Sequence, residues 1–415
     1  MGTVLKLKES ENVLNKITDI SLLIFLCVKT GIGNRSFLEY ITYVAFIGLV
    51  FFQVCQSKKI KITKYTIWYT IFVIFSGVSY FWAMSQEFFK QSFFTMGALL
   101  VFNIAICNYV DSKEKLERVI KYFVWANIFT AIKILLLYNT CSGEVADRIT
   151  KITGIYFNTI AQVMAFSTIL TVYLYKIYRK KIYLVFVLVQ FCTIFLTESR
   201  KGFLIPIVGI IIMLFFEKKT MKKFLAYLSI GVIGVAGIFV FFKINDSFSQ
   251  EMKQLYSSVV KNDTGDYSIN LREFFIDTGI QIFKDKPILG IGLNNFAYYV
   301  KNYTEYTEAR YSHNNYIEML SCLGIVGLAL YYWFYLYILV KLLIKLIKNR
   351  NDLQLILGFT LVFVLMIFEW GIVSYSGCMY NVIIFIAYYI LEFKEKNKDD
   401  RELIEAGKEP IENEG

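Results

Sequence analysis

The stretch Tyr311-Ser312-His313-Asn314-Asn315-Tyr316-Ile317-Glu318 closes a polar segment of about 70 residues and opens the apolar run Tyr316–Leu343. A helix needs ~20 apolar residues to cross a bilayer core. The run therefore reads as a transmembrane helix, and the residues before it stand at a membrane surface. The stretch also holds the single histidine of the 415-residue chain. Histidine has the unperturbed pKa nearest neutrality, which suits His313 to proton transfer. At a helix N-terminus the macrodipole disfavours imidazolium and favours the neutral, proton-accepting ring. A bound anion would pull the other way. A polar cap at the membrane surface is the plain alternative.

Away from this junction the same pattern recurs. Hydrophobic residues make up 56% of the chain and aromatics 18%, with mean hydropathy +0.51. Soluble domains of this length carry far more polar surface. Twelve apolar runs can be read: 17–33, 37–56, 65–84, 92–110, 119–138, 160–178, 182–198, 202–216, 224–242, 316–343, 353–374 and 379–393. The expected fold is an all-α polytopic membrane protein of about twelve transmembrane helices. Residues 1–393 form its single membrane domain, and 394–415, charged and mixed in sign, read as a disordered cytoplasmic tail.

The net charge of +11 does not point to nucleic acid. The basic residues sit in short clusters between apolar runs, as in cytoplasmic loops, rather than on one polar face. The connections 57–64, 111–121, 176–181, 217–223 and 341–352 hold four Lys or Arg each, and the alternate short ones hold two or fewer. By the positive-inside rule both termini are cytoplasmic. The polar first 15 residues argue against a cleavable signal peptide, so the first apolar run inserts directly. The large extracytoplasmic loop, 243–315, lies between helices nine and ten and is nearly neutral, with eight Lys/Arg against nine Asp/Glu. A structureless loop of that length is unusual, so helices are expected at 247–261 and 271–284, the second ended by Pro287. Gly290-Ile291-Gly292 makes a tight turn.

The seven cysteines show no metal or redox spacing. Cys141 and Cys378 are the two expected outside, which leaves a disulfide between them open. With one histidine, no cysteine cluster and no carboxylate pair in the first outer turn (Gly33-Asn34-Arg35-Ser36), no metal or other cofactor is expected. P-loop, dinucleotide and Gly-x-Ser elbow motifs are also missing. The remaining candidates are basic. Arg200 and Lys201, in Glu198-Ser199-Arg200-Lys201, lie where basic residues are normally sparse. They read either as snorkelling side chains or as guanidinium and ammonium groups holding a lipid pyrophosphate. Arg272 has the corresponding pair of readings. Arg310 and Tyr311 flank the histidine. Glu369 is ionisable at membrane depth and so a functional candidate, although a structural pairing with Lys133 would also account for it.

Taken in order, these pieces resemble a family. Arg272-Glu273-Phe274-Phe275, then Lys286-Pro287-Ile288-Leu289-Gly290-Ile291-Gly292-Leu293-Asn294-Asn295-Phe296, then His313-Asn314-Asn315-Tyr316 and Gly324-Ile325-Val326-Gly327 resemble the hallmark segment of the O-antigen ligase and polymerase superfamily. Ser199-Arg200-Lys201-Gly202 resembles its S-R-G stretch, and Gly154-Ile155-Tyr156-Phe157-Asn158-Thr159-Ile160-Ala161 its entry to span six. The aromatic after the loop arginine, often Trp in the family, is here Phe274 or Phe275.

The resemblance implies a metal-independent glycosyltransferase of the bacterial plasma membrane that polymerises polyprenyl-pyrophosphate-linked oligosaccharide repeats into a surface polysaccharide. Donor and acceptor are then both lipid-linked, and a chain-length regulator and a flippase are implied partners. It casts His313, Arg272 and Arg200 as catalytic, and Asn314, Lys201, Arg310, Tyr311 and Asn158 as substrate-binding. A ligase, moving finished polysaccharide to another acceptor, is the nearest rival. A flippase or transporter is the rival from another class, set back by spans that look continuous and by the lack of repeated halves.

Overall fold

The computed structural model describes residues 2–32, 36–141, 145–217 and 267–405. Every regular element among them is a helix. In chain order they are α1 Gly2–Gly31, α2 Phe37–Ser57, α3 Lys64–Val78, α4 Gln86–Tyr109, α5 Lys113–Leu137, α6 Val145–Thr153 and α7 Phe157–Tyr178. There follow α8 Ile182–Leu196, α9 Arg200–Phe216, α10 Tyr267–Asp285, α11 Asn295–Tyr303, α12 Asn315–Lys348, α13 Leu353–Phe368 and α14 Cys378–Glu405. A helix thus occupies eleven of the twelve expected apolar runs. The ninth, 224–242, and the expected helix 247–261 lie outside the described residues.

Among the described residues, five helices are long and apolar enough to cross a membrane: α2, α4, α5 with the turn after it, α7 and α12. α7 is the most enclosed, with Ile160–Thr171, Tyr173 and Leu174 all buried, and it packs on α5, α8 and α9. α12 packs on α3, α10 and α13, and α13 on α14. α14 runs on to Glu405, so residues 394–405, expected as disordered tail, continue the last helix.

The basic connections gather at one end of the bundle. The Lys61 N–H donates to Asn108 Oδ1 at 2.7 Å, and its ammonium lies 4.6 Å from the Tyr389 ring centroid. Lys121 lies over Tyr178, Lys176 pairs with Glu217, and Lys394 pairs with Asp352. The alternate connections meet at the other end, where the Met84 N–H donates to Ile291 O and the Asn315 N–H to Glu369 O.

One expectation is overturned. The run Tyr316–Leu343, read as a continuous span, is interrupted at Gly324, whose φ of 66° and ψ of −167° are not helical. The break frees backbone groups that an apolar medium cannot satisfy. The Pro287–Gly292 turn satisfies them: Ile291 N–H and Gly292 N–H donate to Ser321 O and Cys322 O at 3.0 and 2.8 Å, and Ile325 N–H donates to Pro287 O at 2.9 Å. Only glycine fits at the crossing, because a Cβ on Gly324 would lie 2.2 Å from Ile288 O. The expected Gly290-Ile291-Gly292 turn is present, with φ values of 66° and 99° at its glycines. It is also anchored on the α3–α4 connection through Ser79 Oγ, which accepts the Leu293 N–H at 3.0 Å, and through the Trp82 indole, which donates to Leu289 O at 3.1 Å.

Two points that the sequence leaves open are decided. Cys141 and Cys378 are free thiols. Lys133 and Glu369 do not pair: the Lys133 ammonium caps Gly31 O and Ile152 O at 2.6 and 2.8 Å, while the Glu369 carboxylate accepts from the Tyr332 hydroxyl at 2.6 Å and from Ser374.

Candidate functional site

The site is built on three helices. On α10, the expected helix 271–284, Arg272, Phe275 and Gly279 are spaced three and four apart and share one face. Gly279 lets Ile317 of α12 approach, since a Cβ there would lie 2.2 Å from the Ile317 side chain. That contact carries Phe275, fully buried, under the histidine: the rings are 6.0 Å apart and 17° from parallel. The aromatic that follows the loop arginine therefore acts as a platform for His313. Tyr311 also lies against it, 4.1 Å away centroid to centroid.

His313 sits in the left-handed region, at φ 56°, which histidine tolerates better than most side chains. The residues on either side hold it there. The Ser312 N–H donates to Glu318 Oε2 at 2.9 Å, and Ser312 Oγ donates to Asn314 O at 2.7 Å. Glu318 is 1% exposed, and its other oxygen receives the Cys322 thiol at 3.7 Å. It was the one carboxylate in the opening stretch, and its position in an apolar run was the available signal for it. Asn314 caps α12, its Oδ1 accepting from the Tyr316 and Ile317 N–H groups at 3.0 and 3.2 Å. Asn314 Nδ2 is buried and has no hydrogen-bond partner among the described residues.

Positive charge converges on this ring. Burial, then the charges of Arg272, Lys201 and Arg310, bring the His313 pKa from its ordinary 6.5 down to about 4. Arg272 and Arg310 also act on the Tyr311 hydroxyl, together with Tyr156 and Glu318. Five of the expected site residues, His313, Arg272, Lys201, Arg310 and Tyr311, are thus brought together, with Asn314 beside them. Arg310 forms an exposed pair with Glu308, at 2.6 and 3.1 Å, so it stands at the rim. Arg200 lies one residue before Lys201, half-buried. Asn158 is half-buried at the second position of α7, two residues after Tyr156.

Lys201 is held by donating to Gly371 O. Ser199 caps α9 by accepting the Gly202 N–H at 3.3 Å, so two cations occupy the first turn of a helix, where the macrodipole is already positive. Such an end suits an anion. Behind it the segment after α13 forms a network that sequence reading did not find. Asn315 Nδ2 donates to the Tyr332 hydroxyl at 2.8 Å, Tyr332 donates to Glu369, and the Ser374 N–H donates to Asn315 Oδ1 at 3.0 Å. All four residues are buried.

Fold and site together define a helical protein with apolar, membrane-length helices and a cationic, histidine-centred cluster at one end of its bundle. The model of the family described as O-antigen ligase matches residues 182–332, from α8 into α12, a similarity over about a third of the chain. Members are membrane glycosyltransferase-like ligases and polymerases acting on lipid-linked polysaccharide. A search of the curated proteins finds no match.

Proposed function

We propose that the chain polymerises lipid-linked oligosaccharide repeats, with the His313 end of the bundle on the outer face of the bacterial cytoplasmic membrane. The observation that carries the reading is the convergence of Arg272, Lys201 and Arg310 on the only histidine. It is supported by the domain match and, for orientation, by the basic connections gathered at the opposite end.

In this reading twelve spans cross the membrane, and the donor is a growing chain on a polyprenyl pyrophosphate. Its diphosphate lies among Arg272, Lys201 and Arg200, near the positive ends of α9 and α12. These groups neutralise the charge that grows as the anomeric carbon–oxygen bond breaks, without a metal. The empty protein holds His313 neutral against its cationic neighbours. A bound diphosphate offsets those charges and returns the ring towards neutrality, where it is a better base. His313 then takes the proton from the acceptor hydroxyl, whose oxygen bonds to the anomeric carbon as the lipid diphosphate leaves. Asn314 Nδ2 is a spare donor for the sugar or a phosphate oxygen, and Tyr311 and Asn158 border the acceptor. A chain-length regulator and a flippase would act beside it.

The interrupted α12 gives the transporter reading one feature in its favour, because discontinuous spans are common in transporters. One assay separates the possibilities: purified protein in lipid, synthetic polyprenyl-pyrophosphate repeat units, EDTA present and products resolved on a gel. A ladder lost in His313→Ala and Arg272→Ala is expected. Transfer of a preformed chain to a different acceptor, with no ladder, means a ligase. Absence of any transfer returns the transporter to first place.

A further inference from the structure

A cavity of about 970 Å³ lies at the same end of the bundle, outside the His313 cluster, among α1, α2, α4, the start of α7 and the residues leading into α14. It is at the upper end of the ~300–1,000 Å³ that ligand sites usually occupy. α4 gives it one continuous face: Glu87, Gln91 and Thr95, four apart, then Ala98 and Phe102. The face is polar at the start of the helix and apolar deeper, where buried Phe25, Leu99 and Phe102 close the floor.

Opposite stand Lys29 and Glu39, an ion pair with side chains 19% and 14% exposed. Taking charges out of water is costly unless they are paired and used. Tyr40 and Tyr43 of α2 complete the wall, and the Tyr43 hydroxyl fixes its ring by donating to Ala98 O at 2.6 Å.

The charges lining the cavity cancel, Lys29 and Lys90 against Glu39 and Glu87. It therefore has no net attraction for a diphosphate, unlike the cationic cleft. Paired charges, an amide and tyrosine rings instead match a neutral polyol: carboxylate and amide meet hydroxyls, and aromatic faces meet the C–H faces of sugar rings. The cavity is also lined by chain neighbours of site residues. Ile155 and Thr159 line it on either side of Tyr156 and Asn158, and Tyr380 lines it six residues after Ser374 while donating to Gln162 at 2.5 Å.

We infer that this cavity binds the oligosaccharide of the substrate, leaving the diphosphate to the Arg272–His313 cleft. The inference rests on the glycosyltransferase reading. It is tested by saturation-transfer NMR on the full-length protein in nanodiscs, titrated with lipid-free oligosaccharide released by mild acid from the host polysaccharide. Tyr40→Ala and Gln91→Ala should each weaken binding by about tenfold, the loss of one ring contact or hydrogen bond. Ala98→Trp should abolish it by filling the space, with an unchanged thermal midpoint showing that the variant folds. Arg272→Ala should bind as wild type. Unchanged binding in Ala98→Trp, or binding lost in Arg272→Ala instead, would overturn the assignment. So would an absence of oligosaccharide binding in a wild-type protein that still builds a ladder, a result that leaves the glycosyltransferase reading standing.

Discussion

Gly324→Ala tests whether the break in α12 and the Pro287–Gly292 turn form one joint. At φ 66° and ψ −167° the residue occupies a region that is essentially glycine-only, where another side chain costs ~1–3 kcal/mol. The added Cβ would also lie 2.2 Å from Ile288 O, 2.4 Å from Ile288 C and 2.6 Å from Leu289 N. These are backbone atoms, so no rotamer change relieves the clash. Withdrawing the turn breaks the Ile325–Pro287 and Gly292–Cys322 hydrogen bonds, each worth ~1 kcal/mol. The sum is about 3–5 kcal/mol, or roughly 10²- to several-thousand-fold faster local opening. Hydrogen exchange by mass spectrometry would read this in peptides covering 287–293 and 321–327. Gly48→Ala is the control: nothing lies within 4 Å of its Cβ position, and a mid-helix alanine is favourable by ~0.5–1 kcal/mol. Unchanged exchange in Gly324→Ala would refute the joint.

Other outcomes follow from the same contacts. Glu318→Gln should keep the fold but loosen the His313 loop, because a neutral amide accepts the Ser312 N–H less strongly than a carboxylate. A fall in kcat with little change in KM checks this, and an unchanged kcat would argue against positioning. Asn314→Ala removes both the α12 cap, at ~1 kcal/mol, and the spare Nδ2 donor. Asn314→Ser retains a cap without that donor, so it should recover stability and not transfer rate. Tyr332→Phe leaves the buried Glu369 short of a donor, a loss of ~1–3 kcal/mol that should appear in the thermal midpoint. Burial and three cations lower His313 to about 4 from 6.5, so the folded state prefers the neutral ring. Its contribution to stability is complete above pH 6.5 and is lost as pH falls towards 4. The acid limb of kcat/KM, which reports the free enzyme, should accordingly lie near pH 4, and that of kcat at higher pH once diphosphate is bound.

Much of this was legible in the sequence. Apolar length located eleven helices, because that signal is local. Arg272 with Phe275, and His313 with Asn314, were visible as motif pieces for the same reason. What stayed hidden depends on partners far apart in the chain. Nothing local shows that Gly324 pairs with Ile288, so the P-x-x-G-x-G and G-x-x-G pieces read as separate motifs when they are the two halves of one crossing. Charge alone makes Lys133 a plausible partner for Glu369 in the sequence. The hydroxyls of Tyr332 and Ser374 satisfy it instead, and backbone carbonyls satisfy Lys133. Lys201 is held by donating to Gly371 O, a contact with no sequence signature.

The central claim is that His313 faces a cationic cleft built for a diphosphate. Because it is the only histidine in the chain, histidine-selective isotope labelling gives a single-site NMR titration. The account predicts a pKa near 4 in the empty protein and a rise towards neutrality when polyprenyl pyrophosphate is added, with the rise lost in Arg272→Ala. A pKa near 6.5 that does not respond to the lipid would contradict it.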